Sequence, residues 1–255
     1  MNYRQFIHLS WFGLVALMLF QVSAKAFESV DEQIASYLEI FKSGSYPASF
    51  EMLERLQWSG LSDPRLFDTF ESLVLEKYKN ASFNKNERNL VGYSIRSLGY
   101  SGNPKYRATL EEVKKNASAS RLRGYAKRAL SDMDHFELWH KKINSSDFRV
   151  VDKPVEIGMY MKMLSVDDPF VQRLAARAIF HERQTDPELL AMAAENLENQ
   201  YLQSGLDGEA QDTAAWLCKA IGQSGQAEYT ALLRKIADET PYKKIRKYAS
   251  VDYAR

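Results

Sequence analysis

The sequence predicts an all-α protein, an α-solenoid of stacked helical hairpins, on three observations. The chain aligns with itself at a long offset, one apolar stripe appears in five copies in a fixed register, and all seven prolines sit where helices would start. The composition permits a large packed core: 255 residues, 45% hydrophobic and 26% charged, with only 12 glycines.

The self-alignment, at an offset of 123 residues, pairs Gly99 with Gly222, Ser101 with Ser224, Gly102 with Gly225, Tyr106 with Tyr229, Leu110 with Leu233, Arg123 with Arg246 and Tyr125 with Tyr248. It runs without a gap from residue 98 to 126. Fixed-period self-similarity is the mark of repeat architectures. The unit holds two helices. The first carries Tyr106, Leu110, Val113 and Ala117, spaced so that all four share one face of a helix.

The second helix carries the stripe Leu122, Tyr125, Ala126, Ala129, Leu130. The same spacing recurs in the stretches beginning at Leu90, Val171, Thr213 and Ile245, at steps of 32, 49, 42 and 32 residues. Its third and fourth positions are mostly Ala or Ser, which lets neighbouring helices approach closely while the larger residues interlock. The prolines mark the helix starts independently. Asp63, Asn103, Asp168 and Asp186 each precede a proline, and Thr240 precedes Pro241, which is the order of an N-cap followed by a first-turn proline.

The stretches Leu122-Arg123-Gly124-Tyr125-Ala126 and Ile245-Arg246-Lys247-Tyr248-Ala249 resemble the second helix of the HEAT repeat, which opens with an aliphatic residue and arginine and continues with alanine. Val171-Gln172 and Thr213-Ala214 depart from that pattern by lacking the arginine. The resemblance implies a right-handed α-solenoid of HEAT-like helical hairpins that serves as a scaffold. On this reading residues 25–85 form an N-terminal helical capping region and residues 86–255 the array, with an insertion near 134–153. Insertions in solenoids tend to collect on one face, often the binding face.

The N-terminus differs from the rest. Arg4, an apolar run from Trp11 to Phe20 and the small residues Val22, Ser23 and Ala24 make residues 1–24 a signal peptide, cleaved after Ala24 or, alternatively, after Ala26. An uncleaved anchor beginning at Phe6 is the competing reading. The expected location is therefore periplasmic or secreted. Removing residues 1–24 deletes one basic residue and leaves 33 Lys+Arg against 33 Asp+Glu. That balance argues against nucleic acid, whose binders carry a basic excess. A lone Cys218 cannot form an internal disulfide, so stability must come from packing.

No residue cluster carries a convincing chemistry. His135 and His140 are five apart, roughly 140° around a helix, where a helical zinc motif needs four. Neither metal nor cofactor is expected. Glu71-Ser72 resembles the catalytic glutamate and serine of lytic transglycosylases, but that family's downstream Gly-Leu-Met-Gln stretch is missing. An envelope carbohydrate-active enzyme is thus the alternative, and a non-enzymatic exported scaffold or adaptor the first reading. Its protein or peptide partner would dock on the inner face of the second helices. Tyr100, Tyr160 and Tyr201 lie outside the stripe and are predicted to be exposed anchors, since tyrosine is enriched at interaction surfaces. Trp139 and His140 in the insertion, and Lys127 and Lys247 on two basic ridges, complete the predicted surface, with weak contact to an anionic membrane as a further expectation.

Overall fold

The structure, a computed structural model, describes residues 27–80, 84–145, 150–251 and 253; the predicted signal peptide lies outside them. Among the described residues there are helices and no strands. In chain order the α-helices are α1 (Val30–Lys42), α2 (Tyr46–Arg55), α3 (Pro64–Lys77), α4 (Lys85–Tyr100), α5 (Arg107–Asn116), α6 (Ser120–Ser145), α7 (Val155–Ser165), α8 (Pro169–His181), α9 (Pro187–Tyr201), α10 (Gly208–Gly222), α11 (Ala227–Glu239) and α12 (Lys243–Ala249).

Capping chemistry sets most of these starts. Asp63, Asp168 and Asp186 each accept hydrogen bonds from backbone N–H groups in the first turn, with proline immediately inside the helix. Asn103 does the same for the 3-10 turn Pro104–Tyr106 that leads into α5. Pro241 differs from expectation. Helix α12 begins two residues later, and Thr240 caps the turn by accepting from Tyr242 N at 3.3 Å.

Successive helices pair as hairpins, α3 with α4, α5 with α6, α7 with α8, α9 with α10 and α11 with α12. The second helices then lie side by side: α4 on α6, α8 on α10, and α10 on α12. The stripe is what they bury. Leu122, Ala126, Val171, Ala175, Leu217, Ala220 and Ile245 are all inaccessible to solvent. The approach is close enough that a Cβ on Gly99 of α4 would come within 2.7 Å of the Ala129 carbonyl of α6. Replacing Ala126 or Ala175 with leucine should therefore overpack the seam and lower stability by about 1–3 kcal/mol. Urea unfolding curves with unchanged midpoints would contradict the assigned seam.

The repeat extends to hydrogen bonding. Arg123 reaches back to the Ala117 carbonyl at 2.6 Å, and Arg246 to the Thr240 carbonyl at 2.7 Å, each bridging six residues to the end of its partner helix. Gln172, which stands where the arginine is missing, makes the same link to the Val166 carbonyl at 3.0 Å. The position therefore serves to clamp the hairpin turn, and an amide donor suffices.

Up to Ser145 the segment read as an insertion is helical. It begins as the second half of α6, a single helix of 26 residues. Leu122 to Met133 belong to a first core shared with α1 to α5, whereas Phe136 and Ile143 belong to a second core that runs to Ala249. Side-by-side packing of second helices lapses between α6 and α8. The far end of α6 bridges the gap, with Trp139 stacked on Phe170 of α8 at 3.6 Å.

The N-terminal helices also span this junction. Phe50 of α2 lies against Tyr93 of α4, and just beyond α2 Trp58 is buried against α8. The Trp58 indole N–H donates to Glu182, which also accepts from the Tyr160 hydroxyl.

Candidate functional site

Two register positions escape the core on most of the second helices, α8 burying Leu174 at the first of them. Three residues into the stripe stand Tyr93, Tyr125, Trp216 and Tyr248, all half-buried; six residues in stand Arg96, Arg128, Arg177 and Lys219, half-buried or exposed. Three and six residues are close to one and two helical turns, so the two positions fall near one another, and on α4 and α10 they bring a ring and a cation together. On α10 the Lys219 ammonium sits 3.8 Å from the Trp216 ring centroid and 4.7 Å from that of Tyr248 on α12. On α4 the Arg96 guanidinium lies 5.7 Å from the Tyr93 ring. Such contacts contribute roughly 0.5–2 kcal/mol each, more where water is excluded.

The ladder converges around His181. Its ring stacks on Trp58 at 5.1 Å with an interplanar angle of 6°, and lies 5.5 Å from Trp216. Between the two tryptophans is Arg177, 5.3 Å from one ring and 5.4 Å from the other. Its Nη2 donates to Gln57, while its buried Nε has no hydrogen-bond partner. Burial depresses the basicity of both groups, and for His181 the nearby Arg177 and Lys219 charges act in the same direction. The result is a cationic, aromatic surface with one under-satisfied donor.

Part of this face is already occupied by the chain itself. Helix α2 offers the Phe50 ring to Tyr93 and the Glu54 carboxylate to the Tyr93 hydroxyl at 2.8 Å, while Trp58 covers His181 and Arg177. The ladder over α10 and α12 has no such cover among the described residues.

The predicted anchors fall elsewhere. The three tyrosines expected to be exposed are corrected: Tyr100, Tyr160 and Tyr201 are 8%, 2% and 1% exposed. The Tyr100 hydroxyl accepts from Arg96, Tyr160 donates to Glu182, and Tyr201 donates to Glu239. A phenol that lies outside one stripe can still face the core, because the first helices and helix ends also bury surface. His140 is likewise turned inward, its Nε2 3.1 Å from the Tyr100 carbonyl, and burial lowers its pKa. Trp139 is half-buried and engaged by Phe170, so it braces the junction. Lys127 and Lys247 are exposed, and Lys247 lies 5.4 Å from the Tyr248 ring at the end of the ladder. Sequence reasoning missed Trp216, Lys219, Arg177, His181 and Trp58. The repeated aromatic and basic positions were visible, but the aromatic one was read as core.

The other chemical candidates are engaged in structure. Glu71 accepts from the Thr109 hydroxyl across the α3–α5 contact, and the Ser72 hydroxyl donates to the Asp68 carbonyl of its own helix. Burial pushes the Cys218 thiol up to about 12, away from thiolate chemistry at neutral pH. Among the described residues no group of three or more His, Cys, Asp or Glu is gathered to hold a metal ion, and no helix is long and apolar enough to cross a membrane.

No family model and no curated protein matches this chain. Among solved structures it is similar to human deoxyhypusine hydroxylase in complex with glycerol, at 13% identity and a TM-score of 0.33, over 87% of this chain and 84% of that one. The expectation that the chain is not an enzyme is corrected on this finding, because the similar protein is a hydroxylase and a helical array does not of itself exclude catalysis. At so low a TM-score neither its reaction nor its residues carry over.

Proposed function

We propose that this chain is an exported HEAT-like scaffold that binds a protein partner through the free face of its second helices, and that the partner presents a helix bearing acidic and aromatic side chains. One observation carries the reading: the chain's own α2 occupies the α4 part of that face with an aromatic ring and a carboxylate, and Trp58 just beyond it lies on Arg177 and His181 of α8. The same ring-and-cation pattern continues over α10 and α12 at Trp216, Lys219 and Tyr248, with no such cover among the described residues. Tryptophan, tyrosine and arginine are the side chains that dominate binding energy at interfaces. The equal count of acidic and basic residues left after residues 1–24 favours a local charge match over a polyanion.

A peptide spanning Tyr46–Ser59 serves as the probe, titrated against the full-length protein by fluorescence anisotropy. Saturable binding is expected, weakened at least tenfold by Lys219→Glu and little changed by Lys114→Glu on the exposed side of α5. Equal loss in the two variants would remove the face from consideration. Binding to anionic vesicles that survives Trp216→Ala, with no peptide binding, would favour a membrane surface instead.

A further inference from the structure

Phe27 is held to the start of α7 at two points and to α1 at a third. Its backbone nitrogen is 3.4 Å from Oε2 of Glu156, its carbonyl accepts from Val155 N at 3.0 Å, and its ring meets Tyr37 edge-on at 6.0 Å. The Glu156 carboxylate is half-buried there, and the ionisable groups around it include Glu182 at the end of α8, Arg55 of α2 and the Tyr37 and Tyr160 phenols. Two carboxylates thus face one guanidinium, which itself donates to Glu51 at 2.7 Å. Burial raises the pKa of Glu156, Glu182 raises it further, and the Phe27 N–H pulls it down. The site lacks one positive charge, and a backbone nitrogen stands where that charge would go. Ala24-Lys25-Ala26 precedes it, placing small residues one and three positions before Phe27, as an export peptidase requires.

We propose that maturation cuts the bond between Ala26 and Phe27, and that the new α-ammonium of Phe27 pairs with the Glu156 carboxylate to lock the N-terminal helices onto α7. Water adds across the bond: its hydroxyl goes to the Ala26 carbonyl carbon and its hydrogen to the Phe27 nitrogen. The new carboxyl group releases a proton and the new amine takes one up. A released amine of pKa near 8 is largely charged at neutral pH, and a partly buried partner strengthens the pairing. The inference rests on the export proposed above.

Intact mass and N-terminal sequencing of the exported protein test it first. A chain beginning at Phe27 is expected. One beginning at Lys25 would leave export standing and overturn the lock, and one retaining Met1 would overturn both. Thermal melts then compare Glu156→Gln in a chain starting at Phe27 and in one extended by Ala26. The substitution should lower Tm by about 4 °C in the first and by about 1 °C in the second, given roughly 2–4 °C per kcal/mol at this size. Equal shifts would show that no ammonium is involved. Amine acylation at pH 7 gives an independent reading: the Phe27 amine should react about tenfold faster in Glu156→Gln, and equal rates would overturn the pairing.

Discussion

Alanine at Gly102 is expected to lower stability by about 3–5 kcal/mol. Gly102 follows α4 with φ at +59°, and a Cβ there would come within 2.5 Å of the Glu137 nitrogen and 2.6 Å of the Phe136 carbonyl carbon. The left-handed conformation alone costs a side-chain-bearing residue about 1–2 kcal/mol. Overpacking adds about 1–3 kcal/mol, toward the upper end here because the atoms struck are helix backbone and cannot rotate away. Gly205 is the control, with φ at +77° and nothing within 4 Å of the added carbon. Its alanine variant should carry only the conformational penalty. Calorimetric melts of the two variants would separate the terms, and similar melting temperatures would show that α6 does not press on this turn.

Replacing Trp58 with alanine is expected to cost a further 3–5 kcal/mol in its own right, the range for emptying a large buried side chain. The residue is 6% exposed, its N–H meets Glu182 at 3.1 Å, and its ring covers His181 and Arg177. The loss should be local. Hydrogen exchange is expected to accelerate through α1 and α2, which lose their hold on α8, while the hairpins from α9 to α12 keep their protection. Trp58→Phe retains the ring and removes the hydrogen bond, so it should recover most of the stability, short by about 1–2 kcal/mol. Uniform exchange across the chain would mean that the N-terminal helices and the array unfold as one unit. The same variant bears on function, because it uncovers Arg177 and His181 and should raise the affinity for the Tyr46–Ser59 peptide.

Local sequence was sufficient wherever a structural decision is local. The caps at Asp63, Asp168 and Asp186, the first-turn prolines, and the buried seam through Leu122, Ala126, Val171, Ala175 and Ile245 are all legible in spacing and residue type. A helix's own periodicity says which face leaves water. The hairpin clamp was half legible: Arg123 and Arg246 stood out as a repeated pair, but only the geometry shows that Gln172 performs the same task.

Periodicity does not say what a buried face meets, and there the tertiary structure decided. Tyr100, Tyr160 and Tyr201 fall outside the stripe, yet each phenol is buried and finds a charged partner on another turn or helix. The stretch from His135 to Ser145 reads as an interruption of the repeat, but it continues α6 into a second core. The contact of Phe27 with Glu156, 129 residues apart in the chain, follows no spacing rule at all. By itself the sequence determined the helices, their caps and the seam along which hairpins stack, since these depend on side chains within a few turns of one another. Which segments close over that seam, and which rings and cations are left facing solvent, depends on surfaces brought together from distant parts of the chain, and only the folded arrangement resolves it.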